Sequence, residues 1–212
     1  MNLARFIAII GVLAGGGALV LQFFLMQANM SAEGFSTVAI TWRYFGYFTI
    51  LTNLLVVLIW VRAALAPTAQ APRLETAGVV SIAMTGIIYY LLLASRWHPQ
   101  GLQWLANVTH HAFVPILFVL FWLARPRGSL KWSDAPLFVI WPLSYCAYAL
   151  TRGAFDGWYA YYFLDPSHVS VAQLAASITV QSTGFLICAL AFIGIDKVVS
   201  GRGAGAAQPA GA

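Results

Sequence analysis

Two apolar stretches of the chain carry residues that could do chemistry together. Thr49, Thr52 and Asn53 recur at i, i+3 and i+4 in one, and Asn107, His110 and His111 repeat that spacing in the other. On a helix, residues so spaced share one face. A threonine hydroxyl is a weak nucleophile until a neighbouring base takes its proton, and imidazole is suited to that task near neutral pH. Thr49 with His111 is therefore a candidate nucleophile and base, with the adjacent His110 as the alternative base. Asn53, Asn107 and Arg152 are candidate donors to an oxyanion or a substrate carboxylate, and the arginine fork matches a carboxylate best.

A third stretch adds Trp141, Ser144, Tyr145, Tyr148, Thr151 and Arg152, again at helical spacing. With Thr52, the side chains of Ser144, Tyr145 and Tyr148 would line a cavity between the stretches. The connector from Gly153 to Ser170, dense in aromatics and carrying Asp156, Asp165 and His168, reads as a lid over it.

These groups need elements to position them, and composition names the solvent. Of 212 residues, 61% are hydrophobic and 8% charged; soluble domains average about 25% charged. The chain reads as a polytopic membrane protein with membrane lipids as its surroundings. Polar groups at bilayer depth are expensive and tend to be functional. The net charge of +5 comes from basic residues scattered at the edges of apolar runs, not from a stripe that would bind nucleic acid. Cys146 and Cys188 both fall inside apolar runs and make no disulfide framework or metal-ligand spacing, so no metal and no other cofactor is expected.

A span needs about 20 apolar residues. Six segments qualify, approximately Arg5–Gln27, Arg43–Leu65, Ala77–Ser95, Trp104–Ala124, Ala135–Thr151 and Val171–Ile195. They are too long and too uniformly apolar for strands of a closed barrel, so the expected fold is an all-α bundle of six transmembrane helices over residues 1–200. The Gly/Ala/Pro stretch 201–212 reads as a disordered tail. Gly11, Gly15, Gly16 and Gly17 of the first span are suited to close helix packing.

Lysine and arginine placement sets the topology. Arg5, Arg62, Arg73, Arg125, Arg127, Lys131, Lys197 and Arg202 flank one side, against Arg43, Arg96 and Arg152 on the other. The positive-inside rule then puts both termini in the cytoplasm, in the cell (inner) membrane, which an even number of spans requires. Counted from the opposite surface, Thr49 lies ~9 Å deep along the second span and His111 ~10 Å deep along the fourth, at 1.5 Å per residue. Their depths match.

At these residues the chain resembles a known family. Tyr47-Phe48-Thr49-Ile50-Leu51-Thr52-Asn53-Leu54-Leu55 is similar to the second-helix signature of the bacterial Pr-six-Pr family of six-helix membrane proteins, and His111-Ala112-Phe113-Val114-Pro115 to its histidine-to-proline motif. Trp141-Pro142-Leu143, Thr151-Arg152-Gly153, Gly157-Trp158-Tyr159 and Phe163-Leu164-Asp165 resemble its most recognisable stretch. That family is distantly related to the androgen-induced and androgen-dependent TFPI-regulating membrane proteins of animals, threonine hydrolases of fatty acid esters of hydroxy fatty acids. The resemblance implies Thr49 as nucleophile and His111 as base. Asn53 stands where the animal proteins carry an acidic residue, which leaves no carboxylate there to orient the histidine.

The expected function is intramembrane, threonine-dependent hydrolysis of a lipid ester, the alternative a membrane protein that binds a lipid or small molecule without turnover. The soluble-hydrolase elbow G-x-S-x-G is absent. Adjacent histidines on one helix cannot clamp one haem iron from two sides, and no internal repeat suggests a transporter.

Overall fold

The computed structural model describes the backbone of residues 2–206 and the side chains as far as residue 200. Among the described residues it is helical throughout, without strands. Helix α1 (Leu3–Ala32) opens with Asn2 capping the Arg5 amide. A short α2 (Thr37–Tyr44), capped by Ser36, leads through Phe45-Gly46-Tyr47 into α3 (Phe48–Leu65). Helix α4 (Pro72–Ile88) starts with proline in its first turn, where a missing N–H costs nothing, and ends in a π turn, Tyr89–Leu93. Helix α5 (Gly101–Val108) and α6 (Val114–Leu123) are joined by a second π turn, Thr109–Phe113. A 3₁₀ segment, Trp132–Val139, runs into α7 (Ile140–Asp156), and α8 (Val171–Ala206) closes the chain. Of the stretch 201–212 expected to be disordered, 201–206 continue α8, and 207–212 lie outside the described residues.

Among the described residues, five helical runs are long and apolar enough to cross a membrane: Leu3–Ala32, Phe48–Leu65, Pro72–Arg96, Gly101–Leu123 and Val171–Ser200. Many of their apolar side chains face outward, among them Leu13, Leu58, Ile87, Ile116, Val180 and Ile187. In water that exposure would be costly; a multi-pass membrane protein presents such faces to lipid. The segment expected as a span over Ala135–Thr151 is not among the five. Pro136 interrupts its first part, and Ser144, Tyr145, Tyr148 and Arg152 dilute the apolar character of α7. The expected second span is also shorter, because α2 ends at Tyr44 and α3 begins at Phe48. Gly46 fills the break: a Cβ there would come within 2.5 Å of the Trp158 ring and 2.9 Å of the Arg43 carbonyl.

Between apolar helices in lipid, packing and hydrogen bonds replace the hydrophobic drive. Gly11 lies flat under Trp60 of α3, where a Cβ would meet the indole at 2.3 Å, and Gly15 approaches Val57. Gly16 and Gly17 face open space among the described residues, so only half of the glycine cluster serves close packing. Trp60, Phe118, Phe121 and Trp122 are fully buried between α3, α4 and α6. Buried polar ties pin the helices: Trp122 Nε1 donates to Thr76 Oγ1 (3.0 Å), Trp141 Nε1 to Thr52 Oγ1 (3.0 Å), and Tyr145 OH to the Gly46 carbonyl (2.9 Å).

The two ends of the bundle differ. At one, Arg125 pairs with Glu75 (2.9 Å) in a buried ion pair and also bonds the Pro67 and Ala69 carbonyls. Asp196 there accepts from the amides of Gly128 and Leu130, and Arg73 meets Asp134 at 3.0 Å. At the other end the connector after α7 folds back over the start of α3, with Phe163 and Leu164 buried beneath it.

Candidate functional site

The site lies where the first turn of α3 meets the two π turns. Pro115 has no N–H to give the His111 carbonyl four residues earlier. The helix loosens there, and the Val114 amide instead bonds the Thr109 carbonyl five residues back. In the facing π turn the Ala94 amide likewise bonds the Tyr89 carbonyl. Insertions of this kind re-aim side chains and recur at functional sites. Here they bring the Tyr89 and His111 rings into a stack, 3.9 Å between centroids and 18° apart in plane. Gly86 of α4 makes the approach possible: a Cβ would stand 2.7 Å from the His111 carbonyl oxygen.

Thr49 is the second residue of α3 and points at this turn. Its Oγ1 is 3.3 Å from His111 Nε2. On the other side of the ring, His111 Nδ1 is 3.0 Å from the backbone carbonyl of Asn107. A carbonyl only accepts, so Nδ1 carries the hydrogen and Nε2 presents its lone pair to Thr49. Asn107 is fixed in turn, its amide donating to Tyr89 OH at 2.7 Å. Tyr161, from the connector after α7, completes the group: its hydroxyl accepts from the Thr49 amide (3.4 Å) and lies 3.5 Å from Thr49 Oγ1. The arrangement is hydroxyl, imidazole and carbonyl in line, at the dipole-positive start of an 18-residue helix, where developing negative charge is favoured.

Space adjoins the pair on two sides. A chamber of about 480 Å³ is bounded by α1, the start of α3, both π turns and the connector, and reaches Arg96 and Trp97 at the end of the bundle. Met26, Met30, Ile50 and Leu93 give it apolar walls, punctuated by Gln22, Asn29 and Gln103. A smaller, apolar cavity of about 40 Å³ lies on the other side, among Phe48, Ile88, Tyr145, Phe163 and Phe185. Thr49, Tyr89, Leu93, His111 and Tyr161 line both.

The other residues singled out from sequence are distributed unevenly. His110 is buried and borders the chamber, but its ring nitrogens have no partner among the described residues; the imidazole in reach of Thr49 is His111. Asn107 lines the chamber and anchors His111 through its carbonyl rather than presenting a free amide. Asn53 is fully buried one turn beyond Thr49, its amide donating to the Thr49 carbonyl at 2.8 Å. Thr52 is fully buried and bonded by Trp141. Neither Asn53 nor Thr52 lines either space.

The third stripe is also divided. Tyr145 lines the smaller cavity, whereas Tyr148 bonds the Phe45 carbonyl and Ser144 is exposed on the outside of α7; these two border neither space. Arg152 is not brought to the pair. Its buried guanidinium bonds Tyr148 OH (3.0 Å), approaches Asp156 (3.8 Å) and lies over the Trp42 ring at 4.1 Å, where it ties the connector to α2. The arginine that borders the chamber is Arg96. Gly86, Tyr89 and Tyr161 carry no periodicity or spacing that marks them; only the density of aromatics in the connector hinted at Tyr161. Among the described residues no three His, Cys, Asp or Glu side chains converge as a metal site would require.

No protein-family model matches the chain, and no curated protein or solved structure is significantly similar to it.

Proposed function

We propose that the protein is an intramembrane hydrolase of lipid esters, with Thr49 as nucleophile and His111 as base. The observation that carries this reading is the Thr49 Oγ1 to His111 Nε2 approach of 3.3 Å, with Nδ1 held on the Asn107 carbonyl. Geometry of this reach is what a base needs to take a hydroxyl proton. Thr49 Oγ1 adds to the acyl carbon while its proton passes to Nε2. The carbonyl π pair moves onto oxygen, then returns as the alcohol leaves, and Nε2–H protonates that alkoxide. Water repeats the sequence on the acyl-threonine. The Asn107 carbonyl does the orienting that a carboxylate does in other triads. A chamber of 480 Å³ is in the range of small-molecule sites, and its apolar walls with scattered polar groups suit an amphiphilic ester.

The resemblance to the Pr-six-Pr family and its animal relatives points to the same two residues. The same reading includes a sixth membrane passage, Trp132–Asp156. Asp134 near its beginning bonds Arg73, and Asp156 at its end accepts from Trp42 at the opposite end of the bundle. With six passages and the basic residues flanking one side, both termini lie in the cytoplasm and the site opens outward across the cell membrane.

The test is hydrolysis by purified protein in detergent, with a panel of lipid esters that includes a branched fatty acid ester of a hydroxy fatty acid. Thr49→Val keeps the shape and removes the hydroxyl, and His111→Gln removes the base. Each should lower kcat by ~10³-fold or more while the variant stays folded. A parent that binds these lipids but hydrolyses none would replace the enzyme by the lipid-binding reading.

A further inference from the structure

We propose that Tyr161 is the third catalytic residue: its phenol O–H is the donor that holds the oxyanion formed at Thr49. This inference rests on the hydrolase reading. The positions of the hydrogens lead to it. The Thr49 amide donates to Tyr161 OH at 3.4 Å, which occupies a lone pair of the phenol oxygen and leaves its hydrogen free to donate. At rest the acceptor in reach is Thr49 Oγ1, 3.5 Å away, whose own hydrogen is directed to His111 Nε2. The chain of donors therefore runs from Tyr161 through Thr49 to His111 and ends on the Asn107 carbonyl.

When Oγ1 bonds the acyl carbon, its proton is on Nε2 and its lone pairs become those of an ester oxygen, which accept weakly. The former carbonyl oxygen, on the same carbon and two bonds from Oγ1, now carries the negative charge. The same phenol hydrogen turns from Oγ1 to that oxygen without movement of the backbone. Such a donor is made for the transition state and not for the bound ester, which is the condition for raising kcat.

The rival donors are directed elsewhere. The Asn107 amide points to Tyr89 and the Asn53 amide to the Thr49 carbonyl, while Arg152 lies over Trp42 and, like Asn53, lines neither space beside the pair. The ring of Tyr161 is held in place, stacked on Phe163 at 5.3 Å and edge-on to Tyr47 and Tyr145. Burial pushes its phenol up to about 12, so it keeps its hydrogen through the range in which His111 could act as a base.

The experiment compares the parent, Thr49→Val and Tyr161→Phe on one ester. It also measures binding of a trifluoromethyl ketone that carries the same acyl chain and adds Thr49 as a hemiketal alkoxide. Tyr161→Phe keeps the ring packing and removes the donor. We expect kcat to fall ~10²–10³-fold with KM changed less than ~3-fold, and ketone affinity to fall by the same factor as kcat. Turnover within ~3-fold of the parent overturns the proposal, as does a lower kcat with unchanged ketone affinity, which would make Tyr161 a positioning residue. A parent inactive on every ester of the panel, or an active Thr49→Val, refutes the hydrolase reading itself, so the two failures are distinguishable.

Discussion

Tyr89 is the residue on which the geometry of the imidazole depends, although it touches no reacting atom in the mechanism. Its ring lies on His111 and its hydroxyl accepts from Asn107, the residue whose carbonyl holds Nδ1. The Asn107 Oδ1 already has no partner among the described residues. Removing the Tyr89 hydroxyl would leave the amide nitrogen unpaired as well, a cost of ~1–3 kcal/mol for a buried polar group. Tyr89→Phe should therefore lower the melting temperature in detergent and reduce kcat by ~10-fold through a loosened His111, with the acyl-threonine still formed. A variant with parental stability and rate would show that the stack alone orients the imidazole. That Thr49 and His111 lie at matching depth was legible in the sequence by residue counting along helices, although the π turn completes the aim of His111. Tyr89 and Tyr161 were not, since their places depend on a π turn and on an irregular connector, neither of which has a period.

Among the elements, the two π turns account for most of what simple helix geometry could not anticipate. Pro115 signals a break in the hydrogen-bond ladder, but not the extra residue that turns His111 toward Thr49. The break between α2 and α3 is of the same kind: an apolar run from Arg43 to Leu65 reads as one helix until the crowding of Trp158 and the Arg43 carbonyl around Gly46 is known. It puts Thr49 in the first turn of α3 instead of part-way down a longer helix, which adds the helix dipole to its surroundings. Gly86 holds this arrangement together, since its missing Cβ admits the His111 carbonyl. Gly86→Ala must push α4 and the π turn apart by several tenths of an ångström. Displacements of this size at a reacting centre are costly. We expect kcat to fall at least ~10-fold, and the ring-current shift that a stacked Tyr89 ring should impose on the His111 ring protons to shrink in NMR. Parental activity in Gly86→Ala would show that the π turn tolerates the added methyl and that its position is not critical.

For the molecule as a whole, six apolar segments were readable from composition, and five appear as helices that meet the length and hydropathy of a span. The sixth lies in Trp132–Asp156, where Trp141, Tyr145 and Arg152 face neighbours while Ser144 and Thr151 are exposed. Tyr145 reaches the Gly46 carbonyl, Trp141 reaches Thr52, and Arg152 reaches Tyr148. A membrane passage that turns its polar groups into the bundle would not need a uniformly apolar sequence, and a hydropathy criterion would pass over it. Its topology can be read by labelling. In a Cys146→Ser, Cys188→Ser background, the exposed positions Lys131→Cys and Ala154→Cys bracket the segment, while Thr68→Cys and Ser167→Cys mark the two ends of the bundle. With an impermeant maleimide on intact cells, Ala154→Cys and Ser167→Cys should react, and Lys131→Cys and Thr68→Cys only after permeabilisation. Reaction of Lys131→Cys and Ala154→Cys from the same side would mean that the segment does not cross. Complete inversion of the pattern would put the termini outside and turn the Thr49 chamber toward the cytoplasm. On the hydrolase reading, the labelled side thus decides from which compartment the water for cleavage of an acyl-threonine would come.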